Sequence, residues 1–123
     1  MRGRLTLPAQ RRLRRKVDFE AAYARGRRFG NGFFGVTAKP NETGGPRLGL
    51  AVSVRTAGSS VERNRIRRAI RESFRLHQHE IPAVDLVVSA RGRARDAAGA
   101  ELRASLVALW KKVNEQCATL PHS

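Results

Sequence analysis

The sequence predicts one α+β domain, and three observations predict it. The chain has 123 residues, enough for one modest core but not for two. Its hydrophobic content of 41% argues against wholesale disorder. Its apolar residues also change period along the chain, in the order helix, two strands, helix, strand, helix. The expected organisation is a basic arm over residues 1–16, a folded domain over 17–117 and a short tail over 118–123.

The arm, MRGRLTLPAQRRLRRK, carries seven positive residues and no clear apolar period, so it is expected to stay flexible until it meets a partner. Asp18 is placed to cap a first helix in which Phe19, Ala22 and Tyr23 share a face, and Gly26 stops it. In GFFGVTAK, Phe34, Val36 and Ala38 alternate with Phe33, Gly35 and Thr37, as in a strand with two distinct faces. PNETGGP, Pro40 to Pro46, is dense in turn residues and reads as a hairpin loop. RLGLAVS then supplies a second strand, with Leu48, Leu50 and Val52 facing inward, paired antiparallel with the first.

A short loop, Val54 to Gly58, leads to a helix whose start is marked by Ser59 and Glu62 at capping-box spacing. Pro82 closes that region, and VDLVVSA, Val84 to Ala90, is an apolar run suited to a buried strand. RGRARD is a basic turn. From Asp96 a last helix is expected, with Leu102, Leu106, Leu109 and Val113 on one stripe and Trp110 beside them.

Charge is the loudest signal. Lysine plus arginine total 25 against 10 acids, a net +15, and arginine supplies 21 of the 25. A domain this basic is built to sit on a polyanion. Guanidinium groups meet phosphate through two parallel hydrogen bonds and stack on bases, which suits structured RNA. Other classes fall away. No apolar run of about 18 residues offers a membrane span. The basic N-terminus lacks the apolar stretch of a secretory signal, so a cytoplasmic chain is expected. Cys117 stands alone, His77 and His79 are the only close histidine pair, and the carboxylates are scattered. Neither a metal site nor catalytic residues are expected in this chain.

The stretch ERNRIRRAIRESFRLH, Glu62 to His77, shows where the polyanion goes. On a helical wheel Ile66, Ile70, Phe74, Ser73, Ala69 and Leu76 share one arc, while Asn64, Arg65, Arg67, Arg68, Arg71 and Arg75 share the other with Glu72. A merely solvated face would carry about as many acids as bases, paired at i,i+4. A membrane-surface helix would need its apolar face free, and a folded sheet consumes it. Nucleic-acid binding is the reading that remains.

RNRIRRAIRESFR, Arg63 to Arg75, resembles the signature of the protein subunit of bacterial ribonuclease P. LRRKVDFEAAYARGRR resembles that family's first helix, RLGLAVS the strand before its signature, and VDLVVSARGRA the strand after it. The resemblance runs from about Leu13 to Val113. It implies an α-β sandwich like that of small-subunit ribosomal proteins, with a mixed central sheet of about four strands, three helices and a left-handed crossover through the arginine helix. RRFGN would supply the fourth strand.

In function, the resemblance implies an endoribonuclease, a hydrolase that removes the 5′ leader of precursor tRNA. Catalysis belongs to an RNA subunit and to Mg²⁺ bound mainly by that RNA and the substrate. The partners are ribonuclease P RNA and precursor tRNA, with no membrane and no further protein required. Arg63, Asn64, Arg65, Arg67, Arg68 and Arg71 fall on the RNA-contacting motif, and Arg75 joins them on the wheel. Arg68 and Arg71 also reach toward the substrate strand. Phe19, Tyr23 and Phe33 or Phe34 fall where the family lines its leader cleft, and aromatic rings give sequence-tolerant stacking there. The chain departs from the pattern at Val54 and Arg55, where many members have two lysines, and at Thr37, where some have an aromatic. The alternative reading is a structural RNA-binding protein of ribosomal type.

Overall fold

The computed structural model describes residues 8–118. The first seven residues of the expected arm and the tail beyond 118 lie outside the described residues. Helix α1 (Lys16–Arg25) is followed by strands β1 (Arg27–Gly30), β2 (Phe34–Pro40) and β3 (Arg47–Ala51). Then come α2 (Val54–Ala57), α3 (Ser60–His77), β4 (Val84–Ala90) and α4 (Gly99–Ala118). None of the described helices is long and apolar enough to cross a membrane.

The four strands form one mixed sheet in the order β1-β2-β4-β3. β2 is antiparallel to both β1 and β4, and β3 runs parallel to β4. RRFGN does provide the extra strand, β1. The expected hairpin between β2 and β3 does not form, because β4 lies between them. The reason is burial: Val84, Asp85, Leu86, Val87 and Val88 are all buried, and only an interior strand covered on both faces meets that demand. PNETGGP therefore spans the end of β4. There Asn41 donates its backbone N–H to Ala83 O at 3.0 Å and its Nδ2 to Asp85 Oδ1 at 2.8 Å.

Strand alternation divides the sheet into two faces. On one, Phe34, Val36, Ala38, Leu48, Leu86 and Val88 meet α3 and α4 in the main core. Ile66, Ile70 and Phe74 enter from α3, and Leu102, Leu106, Leu109, Trp110 and Val113 from α4. Trp110 packs edge-on to Phe74 with ring centroids 6.0 Å apart and donates Nε1–H to Ser73 Oγ at 2.8 Å. The indole N–H is thus satisfied inside the core.

On the other face, a smaller cluster joins Ala22 and Phe19 of α1 to Val87, Ala51 and Leu13. Leu13, within the expected arm, is 4% exposed and donates its N–H to Leu48 O at 2.8 Å. The fold therefore begins before residue 17, and Arg12 bridges to Leu48 beside β3.

Several boundaries move. Asp18 lies inside the first turn of α1, within 3.8 Å of Arg15 and 3.9 Å of Arg47. The expected loop Val54–Gly58 contains the short helix α2, capped by Ser53 Oγ accepting from Thr56 N at 3.0 Å. Gly58 ends it at φ 97°, a conformation that glycine adopts without the Cβ penalty. The last helix starts at Gly99 rather than Asp96, since Gly92–Asp96 closes into a 3-10 turn. Leu76, expected on the buried stripe, is 57% exposed.

Candidate nucleic-acid interface

Helix α3 starts where Ser59 Oγ accepts from Glu62 N at 3.1 Å, one half of the expected capping box. The carboxylate of Glu62 turns instead to Arg65, with Nη2 at 2.8 Å. Arg65 Nη2 also donates to Arg95 O at 3.1 Å, so this guanidinium ties α3 to the turn before α4. Three completely buried side chains, Ile66, Ile70 and Phe74, fix the rotation of the helix about its axis. That rotation decides where every other side chain points.

The cations fall into distinct groups. Arg63, Arg67 and Arg71 follow one another at i,i+4 spacing. Arg63 is anchored by Nε donating to Val52 O at 2.8 Å, just beyond β3. Burial pulls Arg67 below the ordinary arginine range, and the charges of Arg63 and Arg71 pull it the same way. It remains a cation at any physiological pH. Arg68 and Asn64 are exposed on the side of α3 toward α4. Arg75 is half-buried at the far end, where it lines a hollow of about 500 Å³ with Arg11, Gly44 and Gly45. Its Nε is buried without a hydrogen-bond partner among the described residues.

The opposite face of the sheet holds the aromatics of α1, but only in part as expected. Phe19 is half-buried over β3, so close that a Cβ on Gly49 would lie 2.7 Å from Phe19 Cζ. Tyr23 is 45% exposed. Phe34 is completely buried in the α3/α4 core and cannot line a cleft under α1. Its alternation with Val36 and Ala38 sends it to the other side of the sheet. Phe33 is half-buried against that same core, with the Arg93 guanidinium 5.7 Å from its ring centroid.

The floor that α1 overlooks is made instead of small residues. Gly35, Ser89 and Ala51 form one half-buried row across β2, β4 and β3, and Thr37, Val87 and Gly49 form the next. Arg91 stands beside the first row, its Nε donating to Phe34 O at 3.3 Å. Neither the small-residue rows nor Arg91 stood out in the linear sequence. Their signal was glycine, alanine and serine at alternating positions of three strands, and it has meaning only once the register is known. Among the described residues, no three His, Cys, Asp or Glu side chains gather in a group able to hold a metal ion.

A mixed sheet with a cationic helix on one side and an aromatic-flanked trough of small residues on the other defines a class, the small basic RNA-binding α-β sandwich. The family model described as Ribonuclease P matches residues 7–114, and the chain belongs to that family. The chain is 49% identical over 80 residues to the ribonuclease P protein component of Idiomarina loihiensis, a match covering 65% of this chain and 64% of that protein. It is 42% identical over 104 residues to the ribonuclease P protein component of Halorhodospira halophila, covering 84% of this chain and 85% of the relative. The solved structure of the Staphylococcus aureus RNase P protein superposes with a TM-score of 0.76 at 34% identity, covering 89% of this chain and 95% of that one.

Proposed function

We propose that this chain is the protein component of a ribonuclease P ribonucleoprotein. It holds the catalytic RNA with the arginines of α3, and it holds the single-stranded 5′ leader of precursor tRNA in the trough beside α1. The RNA and its Mg²⁺ ions carry out hydrolysis of the phosphodiester bond, and the protein supplies binding and orientation. The single observation that carries the reading is α3 itself. Its buried stripe, Ile66, Ile70 and Phe74, is taken up by the core, and the helix sets only two acids, Glu62 (paired with Arg65) and Glu72, against six arginines. An uncompensated cationic surface of this kind supports phosphate contact. Tyr23, exposed on α1, offers a base a ring to stack on, and Arg91, beside the row of Gly35, Ser89 and Ala51, is placed to meet a phosphate.

The test adds the purified chain to ribonuclease P RNA at low Mg²⁺. Cleavage of leader-bearing tRNA is expected to rise, and substrate affinity to depend on leader length. No stimulation, together with tight binding to ribosomal RNA, would favour a structural RNA-binding protein. Cleavage by the protein after rigorous removal of RNA would overturn the division of labour.

A further inference from the structure

On the side of the sheet away from α1, helices α3 and α4 flank a groove of about 700 Å³. Its apolar lining includes Val61 and Leu76, which are 76% and 57% exposed. Leu76 belongs to the apolar arc of α3, yet the core does not cover it. Single exposed apolar residues need no explanation, but a lined groove does.

Two guanidinium groups flank it, Arg68 from α3 and Arg103 from α4. Among the described residues neither makes an ion pair or a side-chain hydrogen bond. Glu72 is the one acid in the lining; Asn64, Ser73 and His77 are also there, as is Arg65, which is already held by Glu62 and Arg95 O.

We propose that this groove takes an unstacked nucleobase of the partner RNA. The inference rests on the function proposed above and adds a second contact, on the other side of the sheet from the leader trough. The base face lies on Leu76 and its apolar neighbours, and Arg68 and Arg103 hold the phosphates on either side. Arginine planes themselves also stack on splayed bases. Glu72 accepts from an exocyclic amine, which adenine, cytosine and guanine carry and uracil lacks.

Charge decides against the other occupants. A second copy would bring another +15 chain against these arginines. An apolar protein helix would fill the floor and leave both guanidinium groups without anions.

The experiment measures affinity for full-length ribonuclease P RNA, without tRNA, at several salt concentrations. Leu76→Ser is expected to weaken binding about fivefold with an unchanged salt slope, because it removes apolar contact and no charge. Arg103→Ala is expected to lower the slope of log K against log salt by about 0.7, one single-strand phosphate's share. Both positions are exposed, and melting curves close to wild type are expected to show that the fold is intact. A photo-crosslinking residue at position 76 is expected to capture a single-stranded nucleotide.

Wild-type binding with both variants unchanged and no RNA crosslink overturns the groove assignment alone. A crosslink to a second copy of the chain overturns it as well. Failure of the wild-type chain to bind the RNA removes the proposed function, and this inference with it.

Discussion

Arg47 and Asp85 face each other across β3 and β4, with Nε and Nη2 of the arginine each 2.8 Å from a different carboxylate oxygen. Asn41, arriving from the end of β2, donates to the same carboxylate at 2.8 Å. One buried acid on the central strand is thereby held from both neighbours, at the level where Arg47 and Lys39 are its register partners. A bidentate, hydrogen-bonded pair of this kind rewards correct pairing and penalises a slipped register, which would strand the charge.

Asp85 makes stability depend on pH. Burial pushes its carboxyl up, but hydrogen bonds from Arg47 and Asn41 and the charges of Arg47 and Lys39 outweigh it, leaving the group below its ordinary range. The stabilisation is therefore fully present above the unfolded value of about 3.9 and is lost as pH falls through the lower folded value. Asp85→Ala is expected to cost roughly 3 kcal/mol, since it removes the bidentate partner of Arg47 and leaves only the 3.9 Å contact with Asp18. Urea titrations at neutral pH and below pH 4 measure both effects, and Asp85→Asn is expected to flatten the acid limb. An equally steep acid limb in that variant would place the titrating group elsewhere.

Gly49 sets how closely α1 approaches the sheet. A Cβ there would meet Phe19 Cζ at 2.7 Å and Leu13 Cβ at 3.0 Å. Gly49→Val is expected to destabilise the chain by about 1–3 kcal/mol through overpacking. Leader-dependent affinity is expected to fall as well, because α1 forms one wall of the trough. Chemical denaturation paired with binding to leader-bearing and leaderless tRNA separates the two losses.

Arg67 stands between two like charges at i,i+4, Arg63 and Arg71, and is partly desolvated. Arg67→Ala is expected to raise stability by roughly 0.5 kcal/mol by relieving that repulsion. RNA affinity is expected to fall and its salt slope to become shallower. A variant that lost stability while binding RNA as before would show that Arg67 serves the fold rather than the partner.

Tyr23 tests the trough directly. Its exposed ring makes Tyr23→Ala nearly neutral for folding. Affinity for leader-bearing precursor tRNA is expected to drop by about 1 kcal/mol, with leaderless tRNA unaffected. Equal losses on both substrates would remove the ring from the leader site.

Much of this architecture was legible along the chain. The α3 stripe of Ile66, Ile70 and Phe74 and the α4 stripe from Leu102 to Val113 follow helical spacing and are buried as that spacing requires. The aromatics were harder to place. Phe34 shares the parity of Val36 and so its side of the sheet, while Phe33, just ahead of β2, packs against the same core. The parity was visible, but which face α1 would cover was not. Leu76 failed for the matching reason: the wheel gives its direction, while the path of α4 decides whether anything meets it.

By itself, the sequence determined the kinds of element, the apolar stripe of each long helix, the excess of cations and the motif that carries the family resemblance. All of these are read from residues within a turn or two of one another. Tertiary structure alone decided that β4 separates β2 from β3, that Phe34 belongs to the core, and that small residues from three strands floor one trough. A strand pairs through backbone groups common to every residue, so local sequence barely distinguishes a hairpin from a split pair. The choice falls to the burial of Val84 to Val88 on both faces and to the clamp on Asp85, set by Arg47 and Asn41 from distant parts of the chain.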